Sequence, residues 1–598
     1  MLRLIRFWLV ADTRPTRQQL GQWFTPEPVA DLALSLALHS SASAPDVLLD
    51  PSCGDGVFLK SAACRGIDAR TLYGVDIDEI AIAEARAKVP GATLVLGDFF
   101  EGREMDVPRA DIIVGNPPYV RQERVGPDAK QAIVALVLRD WPQLGEDAVR
   151  ALVGRSDLAA PFVLRLLGQL RENGVAALVL SSAFFDSGYG AEFWALAERV
   201  ASLRLVVCAP TERWFSEAAV HAVIAVFDAK PSRAPVRFAQ LSCPTTEAAA
   251  HLAAGGALAD VATERVAARS EPETWAAALR ASDAWLAFRA EASEVLVPLG
   301  ELAAVRRGIT SGANEIFYLS REQIAKWNID SKFLTPLLTA RGRAGQGAIA
   351  VSRDELEQFA LVVPKDTSLA EHPDLDRYLK SFPGAETRGT LRNRRPWWAL
   401  RARPGHVFLC KAYGERFVQP YSATPMVADQ RMYSLELCGG ALELGGGALE
   451  LGRGALELGG GALELGRGAL ELGEQARIAP SLLAALLNAT PTALALESLG
   501  RASMGQGALE WTVGDVANLP VIDIRKHPNL GAIAAAFQAL AKRPSGNVAA
   551  EAAQTDRQAL DEALLAPWPA LAAMRDALSS ALVLACAERY ARAKSGLR

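Results

Sequence analysis

The 598-residue chain has no uninterrupted apolar run of about 18 residues, the length a membrane-crossing helix needs, and this argues against a bilayer-spanning protein. Its opening stretch, MLRLIRFWLVADTR, interrupts the apolar residues with Arg3 and Arg6 and is too short for a secretory core, so residues 1–20 read as a loose leading segment. Seven cysteines are scattered without a CxxC pair. That pattern indicates neither a zinc knuckle nor a disulfide framework and fits a reducing, cytoplasmic setting with no metal. Positive charge is not in excess either, with 63 Lys and Arg against 68 Asp and Glu and a formal net charge of −5. Such a balance is unusual for a protein that grips nucleic acid, but net charge averages over faces and domains of different sign, so local charge decides.

What is present is an ordinary globular composition, 50% hydrophobic and 22% charged, in a chain too long for one core. From Asp46 short apolar runs alternate with amphipathic stretches: DVLLD, FLKSAA, TLYGVDI, DEIAIAEARAKV, ATLVLGD, DIIVGNPPY. This is the rhythm of a doubly wound, mostly parallel sheet with helices on both faces. GVAALVLSS, SLRLVVCA and HAVIAVFDA continue it, so one α/β domain is expected over residues 21–230. Residues 231–300, rich in Ala, Pro and Ser with helical patches such as TWAAALRASDAWLAFRA, read as a connector.

Residues 301–598 read as a mixed α+β domain with a helical C-terminal region. Its basic centre carries Arg388, Arg392, Arg394, Arg395, Arg401, Arg403, Lys411 and Arg416 against the single acid Glu415, interleaved with Trp397, Trp398, Phe408 and Tyr413. Cations among aromatics suit phosphates and bases better than a plain solvated face does. Within this domain ALELG recurs with a period of seven from Ala441 to Ala469. Its glycines, each costing up to about 1 kcal/mol in a helix, argue against a coiled coil, and residues 439–473 read as a low-complexity insertion.

Four strand ends carry the chemistry. LLDPSCGDGVFL places Asp50 at the end of one strand and Gly54 and Gly56 in the turn that opens a helix, where glycine lets backbone amides approach a ligand. Asp76, ending the next strand about 20 residues on, stands where a carboxylate reaches ribose hydroxyls. By themselves these features also suit NAD or FAD, although the glycines do not complete GxGxxG. Asp98 and Phe99 end the third strand, placed to meet an adenine amine and ring, or to pack in the core. The fourth ends in Asn116, Pro117, Pro118 and Tyr119. An adenine amine is a poor nucleophile because its lone pair is delocalised into the ring. An Asn carbonyl and a rigid Pro carbonyl would hold its two N–H groups, and a Tyr face would hold the ring.

The order GQWFTPEPVADLAL, PSCGDGVF, YGVDID, LGDFF and GNPPYV resembles that of the gamma-class N6-adenine DNA methyltransferases of type II restriction-modification systems. GITSGANEIFYL, SLLAALLNAT and MGQGALEWTVGDVANLPV resemble stretches of that family's recognition domain. The resemblance implies an S-adenosylmethionine-dependent methyltransferase fold, with Thr25, Asp50, Gly54, Asp76, Asp98, Phe99 and Phe162 around S-adenosylmethionine. It implies that Asn116, Pro117 and Tyr119 hold a target adenine extruded from double-stranded DNA. Phe215 would stack on its second face, although the adjacent Trp214 offers another ring, and Phe162 also suits a helix core. Direct in-line transfer without a covalent intermediate follows. A cytosine C5 mechanism would need a nucleophilic Cys after Pro, and only the reversed Cys243-Pro244 occurs, so Cys53 reads as a small packing residue. The competing readings are methylation of a protein glutamine, of RNA or of cytosine N4, and a DNA-binding specificity subunit with a vestigial cofactor fold. No nuclease motif is evident, so the resemblance implies a separate cognate endonuclease, and a monomer is expected.

Overall fold

A computed structural model describes residues 23–100, 107–120, 122–186, 188–215, 221–269, 275–342, 344–438, 479–504 and 507–594. The chain divides into two compact units, one of Met1–Ala281 with Arg501–Ala508 and Ala587–Arg598, the other of Ser282–Gly500 with Leu509–Cys586.

The first unit is built on nine strands: β1 Leu48–Asp50, β2 Leu72–Asp76, β3 Thr93–Leu96, β4 Ala110–Gly115, β5 Leu170–Ser181, β6 Ser202–Cys208, β7 Ala222–Asp228, β8 Val236–Leu241 and β9 Ala262–Ala267. Their order is β3-β2-β1-β4-β5-β7-β6-β8-β9. The first five are parallel to their neighbours, and β7 runs antiparallel between β5 and β6. Successive residues enter opposite cores. Leu49 and Ile113 pack with Val134 and Phe162 on one face, whereas Leu48 and Ile112 pack with Val29 and Ile224 on the other. A strand covered on both faces needs a continuous apolar run, and DIIVG and VAALVLS supply it. The parallel order and the two cores make this the doubly wound α/β fold that the strand rhythm predicts.

Six helices frame the site: α1 Glu27–Ser40, α2 Val57–Cys64, α3 Glu79–Lys88, α4 Pro127–Asp140, α5 Glu146–Arg155 and α6 Ala159–Leu167. Helix α2 starts from Gly56 at φ +84°, where a β-carbon would lie 2.9 Å from that of Ala85. Helix α3 is capped by Asp78, whose carboxylate accepts from the Ile80 amide at 3.0 Å.

The sheet runs past residue 230, into the stretch read from sequence as a connector. Strand β8 alternates, with Val236 and Phe238 buried and Arg237 exposed, and Arg237 pairs across to Glu264 of β9 at 2.7 Å. The surrounding Ala and Pro residues mask this short strand. The predicted helical run TWAAALRASDAWLAFRA is two helices, Trp275–Arg280 and Asp283–Glu291. Its break falls at Ser282, whose hydroxyl accepts from the Trp285 amide at 3.2 Å and so starts the second helix.

The second unit holds a seven-stranded mixed sheet in the order Ala303–Arg307, Met432–Leu437, Gly405–Cys410, Tyr421–Ala428, Leu334–Leu338, Gln358–Leu361 and Tyr318–Ser320. Helices dominate after residue 479. The most apolar pair, Pro480–Asn488 and Thr490–Leu499, bends by 62° and is buried within this unit. Among the described residues no single helix is long and apolar enough to cross a membrane. Asn488 ties the pair to the sheet side, its amide donating to the Gln419 carbonyl at 2.9 Å while its oxygen accepts from the Gln419 amide at 3.1 Å. The ALELG repeat lies outside the described residues.

Candidate active site

Strand order brings the four predicted strand-end residues into one row. Along β3-β2-β1-β4 they stand as Asp98, Asp76, Asp50 and Asn116, so three inter-strand steps of about 4.8 Å spread them over roughly 14 Å of one sheet rim. Asp76 is 8% exposed; one carboxylate oxygen accepts from the Gly54 amide at 2.8 Å and the other from the Asp78 amide at 2.9 Å. Each oxygen has a second lone pair with which to take a hydroxyl donor. Gly54 sits at φ +49°, and a β-carbon there would come within 3.3 Å of the Phe24 ring. Asp98 is half-buried and accepts from the Phe100 amide at 2.9 Å.

Asp50 is fully buried, which pushes its carboxyl well above the usual range. One of its oxygens accepts from the Ser52 amide at 3.2 Å, and the other is buried without a hydrogen-bond partner among the described residues. Cys53 is buried in the core, and burial raises its thiol, so it packs as a small residue and is not poised as a nucleophile.

Asn116 leaves β4 with both ends of its amide defined. Its nitrogen donates to the Trp23 carbonyl at 3.0 Å, and its oxygen is buried with no hydrogen-bond partner among the described residues. Its own carbonyl accepts from the Ser52 hydroxyl at 3.1 Å, which joins the turn after β1 to the turn after β4. Pro117 is buried, while Pro118 and Tyr119 are half-buried. The Tyr119 hydroxyl donates to the Val179 carbonyl at 2.9 Å, so the ring is held at its far end. Burial first, and then the Asp157 carboxylate, raise its phenol well above the ordinary range.

Sequence reasoning missed Asp157, which reads as a cap ahead of α6. The Leu158 amide donates to the Val120 carbonyl at 2.9 Å, which locks this turn to the one bearing Tyr119. Burial raises the Asp157 carboxyl to about 6, while the Tyr189 hydroxyl donates to it at 3.3 Å. Trp23 was also missed, because its part is played by a backbone carbonyl that leaves no trace in residue type.

The aromatic candidates divide. Phe99 and Phe162 are both nearly inaccessible, with ring centroids 5.1 Å apart, and Phe162 also meets Phe100 at 5.5 Å. The Arg165 guanidinium lies 5.6 Å from the Phe99 ring centre, donates to the Phe99 carbonyl and pairs with Asp140. A lone Arg in the apolar helix AAPFVLRLL is the signal that could have found this brace, because a buried charge needs a partner. Thr25 is buried just ahead of α1. Between Trp214 and Phe215 the bonding decides: the Trp214 indole donates to the Thr245 hydroxyl at 2.9 Å, so that ring is committed to structure. Phe215 is 8% exposed and lies in the same core cluster.

In the second unit the basic stretch sorts in the same way. Arg388 pairs with Glu315 at 3.1 Å, Arg394 stands over Phe317 at 5.4 Å and donates to the Thr310 carbonyl, and Arg416 donates to the Gly345 carbonyl at 2.8 Å. Arg395 donates to the carbonyls of Arg392 and Arg394. The side chains of Arg392, Arg401 and Arg403 are exposed and make no hydrogen bond or ion pair among the described residues. Of the interleaved aromatics, Phe408 and Tyr413 are buried, Tyr413 stacking on Phe417 at 5.2 Å. Trp397 and Trp398 are half-buried.

Residues 98–205 match the family model described as Eco57I restriction-modification methylase. The type II methyltransferase M.XamI of Xanthomonas campestris pv. amaranthicola is 26% identical over 409 residues, covering 66% of this chain and 72% of that protein. M.BanIII of Aneurinibacillus aneurinilyticus, also a type II methyltransferase, is 27% identical over 29% of this chain and 32% of its own. Among solved structures, the type IIL restriction-modification enzyme MmeI aligns over 98% of this chain and 77% of its own with a TM-score of 0.54 at 14% identity, a likeness of fold. The family model over residues 98–205 and the curated relatives support a restriction-modification methyltransferase.

Proposed function

We propose that the protein transfers a methyl group from S-adenosylmethionine to N6 of an adenine extruded from double-stranded DNA, as the modification half of a type II system with a separate cognate endonuclease. The observation that carries this reading is the Asn116 amide. Its nitrogen is spent on Trp23 and its buried oxygen has no partner among the described residues, an arrangement that favours a ligand N–H and carries a penalty while unmet. Paired with the Pro117 carbonyl, it would accept both N6 hydrogens and draw the amine lone pair out of conjugation, toward the methyl group. Tyr119 would stack on one face of the base and Phe215 on the other.

S-adenosylmethionine supplies a methyl group bound to a sulfonium centre. The residues present fit it: Asp76 has spare lone pairs for ribose hydroxyls beside the Gly54 turn, and Asp50 has a buried oxygen without a partner among the described residues. Asp98 would accept from the cofactor's adenine amine, Phe99 backed by Phe162 would floor that ring, and Thr25 would close the methionine end. The exposed cations Arg392, Arg401 and Arg403 of the second unit suit DNA phosphates. The test is incubation with S-adenosylmethionine and duplex DNA, followed by nucleoside mass spectrometry. N6-methyldeoxyadenosine is expected, and N4-methyldeoxycytidine, or label confined to protein or RNA, would overturn the reading.

A further inference from the structure

Phe215 lies in a stretch whose two flanks, Pro210 after β6 and His221 before β7, are both bonded by one side chain from the far end of the sequence. Arg592, within the helix Arg575–Lys594 and grouped with the first unit, donates from Nε to the Pro210 carbonyl at 2.7 Å. Its Nη1 lies 3.1 Å from His221 Nε2. These partners are 382 and 371 residues away in sequence.

A guanidinium has donors only, so Nε2 of His221 must be the lone-pair nitrogen and Nδ1 must carry the hydrogen. Burial, and then the nearby Arg592 and Arg280 cations, hold the His221 ring well below its usual range, in the neutral form this bond requires. His221 is itself fixed, its carbonyl accepting from the Ser182 amide at 2.7 Å just after β5. Within the stretch, Glu212 accepts from the Thr245 amide at 3.0 Å, and Thr245 receives the Trp214 indole. A further tie keeps the helix end in this unit: Arg589, 4% exposed, donates to the Gly507 carbonyl.

We propose that Arg592 is a positioning residue for the target-base site, holding Pro210 and His221 at the spacing that presents Phe215. The assignment rests on the reading of Phe215 as the second stacking face. It gives the C-terminal helix a part in the catalytic unit that its own sequence, AERYARAK, does not suggest. A partly buried bond to a charged group of this kind has a worth that corresponds to about tenfold in an equilibrium.

The test is a double-mutant cycle on the full-length protein with Arg592→Ala and Phe215→Ala, using duplex DNA with 2-aminopurine at the target position. Arg592→Ala is expected to lower kcat and the fluorescence rise by about tenfold, to leave S-adenosylmethionine affinity within twofold, and to add nothing in the Phe215→Ala background. Arg592→Lys keeps the charge, reaches one acceptor at a time and should fall between. If Arg592→Ala does not fold, Arg592→Lys is read in the same cycle, together with amide exchange over residues 209–215, which should quicken. Normal fluorescence and kcat in the Arg592 variants, with a loss in Phe215→Ala, would overturn the positioning role and keep the stacking reading. Normal behaviour of Phe215→Ala would overturn the stacking reading itself. Additive losses would reduce Arg592 to a general stabiliser and also overturn the proposal.

Discussion

Replacing Asn116 by Ala removes one oxygen and one nitrogen with separable jobs. The oxygen has no partner among the described residues and is assigned to the target amine, so its loss should appear in the transition state. Removing one preorganised hydrogen-bonding group of this kind costs about 2.7–4 kcal/mol, or roughly two to three decades in rate. The nitrogen donates to the Trp23 carbonyl at 3.0 Å, and losing a neutral bond of that type costs about 1 kcal/mol of stability. Single-turnover methyl transfer at saturating DNA should therefore fall about 100- to 1000-fold. Calorimetric affinity for S-adenosylmethionine should stay within a few-fold, because the cofactor is assigned to Asp50, Asp76 and Asp98. Asn116→Asp keeps an acceptor but sets a second oxygen against the Trp23 carbonyl, so it should lose more stability than Ala does. A transfer rate within tenfold of wild type for Asn116→Ala, with DNA still bound, would refute the reasoning.

Asp157 sets a pH dependence of stability. Burial raises its carboxyl from 3.8 to about 6, so the native state holds the proton more tightly and stability is lost as pH rises through 6, by about 1.4 kcal/mol between pH 5 and pH 8. Asp157→Asn should lack this increment in urea unfolding at the two pH values, and an equal loss in both proteins would assign it elsewhere. Neutralising Arg392, Arg401 or Arg403 should each lower the slope of log affinity against log salt by about 0.9 for DNA, whereas Arg394→Gln should destabilise the second unit with the slope unchanged. Tyr119→Phe keeps the ring and loses only the bond to Val179, so 2-aminopurine emission should match wild type, whereas Tyr119→Ala should weaken base stacking by about 1–3 kcal/mol. Deleting residues 439–473 should preserve both transfer and the modified sequence, since loop length costs only about 0.6 kcal/mol per doubling; methylation at a different site would give the repeat a role in recognition.

Local patterns were strong enough to announce the α/β rhythm and the four strand ends. A buried parallel strand demands an apolar run, and a turn at a positive φ demands glycine, so DIIVG and Gly56 carry their structure in their own residue types. Where composition spoke for a region, it misled: alanine in residues 231–300 obscured β8 and β9. Basic composition around residues 388–416 likewise says nothing about which cations are already engaged. Arg394 and Arg416 are, while the side chains of Arg392 and Arg401 make no hydrogen bond or ion pair among the described residues, and the same stretch mixes the buried Phe408 with the half-buried Trp397.

The sequence by itself determined which chemical groups stand at the strand ends, because period-2 and period-3.6 patterns and turn residues act over a few neighbours. Tertiary structure alone decided how those groups are oriented and which are engaged. The strand order β3-β2-β1-β4 lines up Asp98, Asp76, Asp50 and Asn116. The Trp23 carbonyl turns the Asn116 oxygen free, Thr245 takes Trp214 and leaves Phe215 as the candidate ring, and Arg592 reaches the same stretch from the other end of the chain. Those choices depend on backbone carbonyls and on partners tens to hundreds of residues away, and neither is written in the residue types nearby.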